Sequence, residues 1–199
     1  MCERYFLPPS DADEALAVYL AQAAPRAARL RVVLRQSGEV RPGDVAPVIA
    51  MNAMRRAVGA FPMRWGFRHP ARGVPVYSAR CETAAEKPLF CTSTADRRCL
   101  IPAAGYFEWQ KADGRKVKFV FSAESGEPLY LAGLYLRSSH EKLPFFVILT
   151  RDAEANLRTV RTRMPVVLPK SRMAEWLSPE TDYEEFLFNA APSLHCEAC

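Results

Sequence analysis

Apolar and polar positions alternate over short runs along most of this chain, and proline, glycine and serine punctuate them; strands are predicted to outnumber helices. Arg4-Tyr5-Phe6-Leu7 places an apolar trio behind a charged start and reads as a strand that Pro8-Pro9-Ser10 ends. Ser10 or Asp11 is placed to cap a helix running to about Gln22, with Leu16, Val18, Tyr19 and Leu20 as its apolar positions. Residues 23–31, rich in Ala and Arg, fit a solvated helical face better than a phosphate contact. Residues 32–34 and 38–40 read as a hairpin, 41–47 as a loop fixed by two prolines, and 48–51 with 57–61 as a strand pair. Residues 76–83 alternate like a strand and 84–90 look helical. Strands follow at 119–121, 129–136 and 145–150, then a short helix at 153–160, a strand at 164–169 between prolines, and helices at 171–177 and 183–188. The pattern predicts one α+β domain over residues 1–199 with a largely antiparallel, barrel-like β core and a few flanking helices.

Composition narrows the class. At 199 residues, 49% of them hydrophobic, the chain is long enough to bury a substantial core. No run approaches the ~18 apolar residues of a membrane span. Met1-Cys2-Glu3-Arg4 lacks the basic start and apolar stretch of a signal peptide, so a cytoplasmic protein with free thiols is expected from the six cysteines. Against 22 acidic residues stand 27 Lys and Arg, a formal charge of +5, compatible with binding phosphate backbones without requiring it.

The chemistry gathers at two places. In Arg97-Arg98-Cys99-Leu100-Ile101-Pro102-Ala103-Ala104-Gly105-Tyr106-Phe107-Glu108-Trp109 an apolar run breaks at Pro102 and Gly105 and then sets one carboxylate among three aromatics. Rings that displace water would raise the proton affinity of Glu108, whereas a plain amphipathic strand would turn it to solvent. At the other end stands Cys2. Loss of Met1 would leave an α-amine, with a usual pKa of ~7.7–8.0, beside a thiol on the same residue; the pair can attack an aldehyde and close a five-membered ring. Weaker signals are Cys196-x-x-Cys199, which is half of a zinc site or else a frayed tail, and His69 and His140, expected to be exposed. No phosphate-cradling glycine loop is present, and neither a metal nor another cofactor is expected.

Five segments in order carry a resemblance: Met1-Cys2-x-Arg4-Tyr5, Trp65-Gly66-Phe67, Ala79-Arg80-x-Glu82-Thr83, the Arg98 to Trp109 stretch, and Arg163-Met164-Pro165-Val166-Val167-Leu168. Together they resemble the SOS response associated peptidase (SRAP) family. The resemblance implies a partner, single-stranded DNA containing abasic sites, and a covalent thiazolidine cross-link formed through Cys2 after Met1 is lost, with an autoproteolytic peptidase activity alongside. It also implies that Glu108 is the active-site carboxylate and that Arg4, Arg80 and Arg163 contact the DNA backbone, which positions a strand without reading it. Trp65 would line the site or pack the core. A monomer is expected.

Four departures from the family pattern bear on catalysis. Ser78 stands where the family has Asn, and reaches less far with a single hydroxyl. Arg161 stands where the family has His; it can hold a phosphate or an oxyanion but cannot shuttle a proton near neutrality. Glu3 replaces Gly beside the nucleophile, and the basic loop 68–72 lacks the tryptophans some members carry. Cys2, Glu108, Ser78 and Arg161 are therefore the expected catalytic set. A relative that binds DNA without cross-linking and a peptide hydrolase with an N-terminal nucleophile are the alternatives.

Overall fold

The computed structural model describes residues 3–9, 12–52, 54, 57–68, 73, 75–112, 115–155, 157–187 and 194–199. In chain order these form β1 (Arg4–Leu7), α1 (Glu14–Leu30), β2 (Gly38–Val40), β3 (Val45–Met51), β4 (Val58–Trp65), β5 (Phe67–Arg68), β6 (Pro75–Val76), β7 (Ser78–Arg80), α2 (Cys81–Ala84), α3 (Cys91–Asp96), β8 (Arg98–Ala103) and β9 (Gly105–Ala112). There follow β10 (Arg115–Ala123), β11 (Leu129–Leu136), β12 (Phe145–Asp152), β13 (Arg163–Pro165), β14 (Val167–Leu168), a 3-10 turn at Lys170–Arg172, α4 (Met173–Leu177), α5 (Tyr183–Leu187) and β15 (Leu194–Ala198). The fold is α+β, with antiparallel pairings in the majority, as the alternation predicts.

Two sheets face each other. The first has the order β15-β10-β9-β1-β2. In the second, β12 pairs with both β4 and β11, so the path β12-β4-β3-β8-β11 returns on itself through hydrogen-bonded ladders. Between the sheets lies a core that includes Tyr5, Trp65, Tyr106, Phe121, Phe146 and Met164, all buried. Behind the second sheet a further apolar layer, with Leu16, Trp176 and Phe186, is closed by the helices. Trp65 is fully buried, stacks on Phe146 at 6.1 Å and donates its indole N–H to the Tyr77 carbonyl, so its role is packing. Arg98 is buried as well; it reaches across to the carbonyls of Ser178 and Thr181 and lies 5.4 Å from the Trp176 ring, tying β8 to the carboxyl-terminal helices.

Several elements differ from their expected places. The first helix is capped by Asp13, whose carboxylate accepts from the Leu16 N–H at 2.9 Å, and it continues through Pro25 to Leu30; Ser10 and Asp11 lie outside the described residues. Within its last turns Arg26 is not a solvated charge: its guanidinium lies 4.6 Å from the Phe61 ring and donates to the Ala60 carbonyl. Residues 32–34 form no strand, because the helix ends in a left-handed turn at Arg31 and Val33 stays exposed; β2 pairs with β1 instead. Pro47 sits inside β3 opposite Pro62 of β4, a pairing at which neither residue needs an N–H to give. The expected helix at 84–90 is displaced to either side of Pro88. The expected helix at 153–160 is a set of turns whose ends close through the Ala153 N–H and the Thr162 carbonyl. The carboxyl-terminal residues are no frayed tail, since β15 pairs along β10 from Phe119 to Ala123.

Gly105 opens β9 at a point where a larger residue has no room. A Cβ there would stand 2.5 Å from the Phe121 carbonyl oxygen and 2.8 Å from the Phe6 ring. Gly105→Ala is therefore expected to cost about 1–3 kcal/mol. Thermal unfolding would show this as a midpoint several degrees lower; an unchanged midpoint would contradict the close approach.

Candidate active site

β9 carries the site because it is shared by two neighbours, β1 and β10. Strand alternation puts Tyr106, Glu108 and Gln110 on one face and Phe107 and Trp109 on the other. Glu108 is turned inward: it is 1% exposed, whereas Phe107 and Trp109 are half-buried on the outer face. The water excluded from Glu108 is therefore excluded by the interior between the sheets and not by Phe107 or Trp109, its neighbours in sequence.

A second element closes over this carboxylate. From Ala153 to Thr162 the chain leaves β12, folds through turns anchored by buried Leu157, and returns to β13. At its end Arg161 donates through Nε to Glu108 Oε2 at 2.9 Å. The pair is asymmetric: the Arg161 side chain is 45% exposed and the Glu108 side chain 2%. Two residues along β9, Gln110 donates through Nε2 to the Thr159 carbonyl at 2.6 Å. Burial raises the Glu108 pKa above the ordinary carboxylate value, and positive charge beside it, that of Arg161 included, pulls in the opposite direction without cancelling it. The result is a carboxyl group able to exchange a proton nearer to neutrality than a surface glutamate.

The first strand runs alongside β9. β1 begins at Arg4, opposite Phe107, and Tyr5 lies opposite Tyr106. Cys2 lies outside the described residues. Glu3 is exposed. Arg4 itself lies 5.2 Å from the centroid of Trp109 and donates to Glu39, which also receives Arg41.

The other expected residues cluster at the end of β12. Ser78 of β7 is partly buried opposite Ile148, and Arg80, opposite Thr150, is exposed with no ion pair among the described residues. Arg163 behaves differently from the expectation that it contacts DNA. Its terminal amino groups are taken up by Glu82 at 2.9 and 2.8 Å, Asp152 at 2.7 Å and the Thr150 carbonyl at 2.6 Å. These contacts clamp β13 to α2 and β12 and leave the guanidinium facing into the fold. Cys81 beside this clamp is buried, its thiol pushed up to about 11 mainly by burial, so it is no competing nucleophile.

The outer face of the first sheet was not singled out from the sequence. There Lys118 stands 3.8 Å from the Phe107 ring centroid, Phe6 and Phe107 are 5.2 Å apart, and Arg4 covers Trp109. This is a row of aromatics interleaved with cations. A cleft of about 720 Å³ opens elsewhere, lined by Arg64, Phe67, Tyr77, Arg137 and Phe145 among others, and it excludes Glu108. Among the described residues no group of three or more His, Cys, Asp and Glu is placed to hold a metal, and His140 is exposed; His69 lies outside them.

A family model described as SOS response associated peptidase (SRAP) matches residues 1–197. The abasic site processing protein YoaM of Bacillus subtilis is 31% identical over 134 residues, 63% of this chain and 59% of its own length. The abasic site processing protein YedK of Escherichia coli is 29% identical over 151 residues, 71% of this chain and 67% of its own. The matched region thus spans roughly three fifths to two thirds of those relatives. Among solved structures, a protein of Bacteroides thetaiotaomicron superposes with a TM-score of 0.79 at 20% identity over 99% of this chain and 91% of its own. One from Bordetella bronchiseptica does so at 0.77 and 24% identity, over 100% of this chain and 99% of its own. At those identities the likeness is one of fold.

A carboxyl whose folded-state pKa is raised binds its proton more tightly folded than unfolded. Its contribution then falls as pH rises from the ordinary carboxylate range through the raised value, and stays unfavourable above it. Glu108→Gln is expected to be more stable than the parent at pH 7–8 by about 1 kcal/mol, the usual size of a single stabilising substitution. The difference should close as pH falls into the ordinary carboxylate range. Denaturant unfolding across pH measures it; a variant equally destabilised at every pH would contradict the burial of a costly charge.

Proposed function

The chain belongs to the SOS response associated peptidase family, and from that premise we propose that it processes abasic sites in single-stranded DNA by covalent capture at Cys2. The observation that carries the proposal is the meeting of three things: a buried glutamate with raised proton affinity, a fixed arginine on it, and the first strand of the chain entering the sheet beside it.

With Met1 hydrolysed away, the α-amine of Cys2 attacks the aldehyde carbon of the opened deoxyribose. A C–N bond forms, Glu108 takes one of the two nitrogen protons and passes it to the alkoxide oxygen, and a carbinolamine results. The second nitrogen proton then travels through Glu108 to the departing hydroxyl, water leaves, and an imine remains. The Cys2 sulfur then adds to the imine carbon while its proton passes to the nitrogen, closing a thiazolidine; one water is lost overall and nothing is oxidised or reduced. A guanidinium is a lasting cation and gives up no proton, so proton traffic falls to Glu108 alone and Arg161 supplies charge. Only its Nε is used on Glu108, so its terminal amino groups are available to a phosphate or to the developing oxyanion. Exposed Arg80 provides a further backbone contact, and Ser78 a short hydrogen bond to the sugar. The Phe6, Phe107 and Trp109 row with Arg4 and Lys118 offers flanking bases a stacking surface that is indifferent to sequence. The same pair of residues favours a second reading, in which Arg161 quenches Glu108 and the protein binds abasic strands without reacting.

Incubation with an oligonucleotide carrying one abasic site, followed by a denaturing gel, is expected to give a heat-stable conjugate. Cys2→Ala should abolish it and Glu108→Gln should slow it by ~10²–10⁴-fold. Retention of the oligonucleotide on native gels with no conjugate would support the second reading, and neither would refute both. Trp109→Ala is expected to weaken non-covalent binding about tenfold, from the loss of one stacked base. Lys118→Ala should lower the salt slope by about 0.7; titrations at several salt concentrations read both effects.

A further inference from the structure

We infer that Gln110 is a positioning residue: it pins the turn between β12 and β13 so that Arg161 keeps its place on Glu108. The inference rests on the reading that Glu108 does the chemistry, and concerns how its partner is held there.

Among its described residues the turn from Ala153 to Thr162 has no regular secondary structure to direct its last side chain. Its internal hydrogen bonds, from Leu157 and Arg158 N–H to the Glu154 carbonyl and from Val160 and Arg161 N–H to the Leu157 carbonyl, fix its own shape. Buried Leu157 and partly buried Val160 seat it on the core. The Arg151–Glu154 ion pair ties its start to β12. To β9 it is joined by two polar contacts, Arg161 to Glu108 and Gln110 to Thr159. The two acceptor or donor groups on β9 are two residues apart on one face, ~7 Å along the strand, and their partners on the turn are likewise two residues apart. Two such attachments define a direction, whereas one alone leaves a hinge about which a long arginine side chain can swing into solvent.

The geometry favours Gln for this task. The Thr159 carbonyl only accepts, so the contact needs a donor, and an uncharged one leaves the field at Glu108 to Arg161. The other guanidinium of the turn, Arg158, is turned away onto the Ala153 carbonyl at 2.9 Å. Lys118 lies on the opposite face of the sheet. Arg161 is thus the cation of the turn that Gln110 controls.

The test is the titration midpoint of the Glu108 carboxyl carbon, followed by NMR on carbon-13-labelled protein, in the parent, Gln110→Leu, Gln110→Ala, Arg161→Gln and the Gln110→Leu/Arg161→Gln double variant. Losing the arginine's charge raises the midpoint, so Gln110→Leu and Gln110→Ala are expected to raise it by about one pH unit, a tenfold change in proton affinity. Arg161→Gln should do at least as much, and the double variant no more than Arg161→Gln alone, because both act through one contact. A midpoint unchanged in Gln110→Leu, with only a lower unfolding temperature, would overturn the inference, as would additive shifts in the double variant. Conjugate formation is followed in parallel. If the parent forms none while the midpoints move as expected, the proposed function fails and the positioning role stands.

Discussion

One opposed pair of effects governs the site: burial drives the Glu108 carboxylate toward its protonated form, and the Arg161 guanidinium holds it back. An exposed glutamate would be fully ionised and too weak a base to matter; a buried one without a partner would stay protonated and accept nothing. The asymmetry of the pair serves both needs. Glu108 is sealed beneath the turn, while Arg161 keeps nearly half its surface in solvent and so avoids the full cost of burying two charges.

The architecture exists to make that meeting. β9 lies between β1 and β10, whose Arg4 and Lys118 cover its outer face, and the turn after β12 reaches it from the other sheet. Close packing at Gly105 and the Tyr106–Phe121 stack, at 4.8 Å, fix the strand's height and so the depth of its carboxylate. Arg163, clamped by Glu82 and Asp152, anchors β13 from below, so the turn that bears Arg161 is secured at its carboxyl-terminal end. In this sense Arg163 holds the frame on which Glu108 and Arg161 meet.

Much of this was legible in the sequence because strand period and burial agree. Alternation separated Glu108 from Phe107 and Trp109 but left open which of the two faces is turned inward, and the strands at 129–136 and 145–150 stand where the apolar runs are. What failed were places where tertiary contacts outweigh local pattern. Arg26 looks solvated in a helical window but covers Phe61; Pro47 looks like a loop but faces another proline in a ladder; residues 153–160 look helical but fold into turns that are tied down by partners beyond the segment, Thr162 and Gln110. The aromatic and cationic face needed the register of β9 against β10, and the Asp113-Gly114 dipeptide is the hairpin signal that would have supplied it. Gln110 carries no signal at all in one sequence, because its partner is a backbone carbonyl 49 residues away.

The chemistry assigned to this arrangement is most directly tested by locating the bond it makes. Protease digestion of the conjugate and tandem mass spectrometry should place the sugar remnant on the peptide that begins at Cys2, with Met1 absent, the α-amine blocked and one water lost from the sum of the two reactants. Attachment at a lysine such as Lys118, or a Cys2 peptide recovered with its amine and thiol both free, would contradict it.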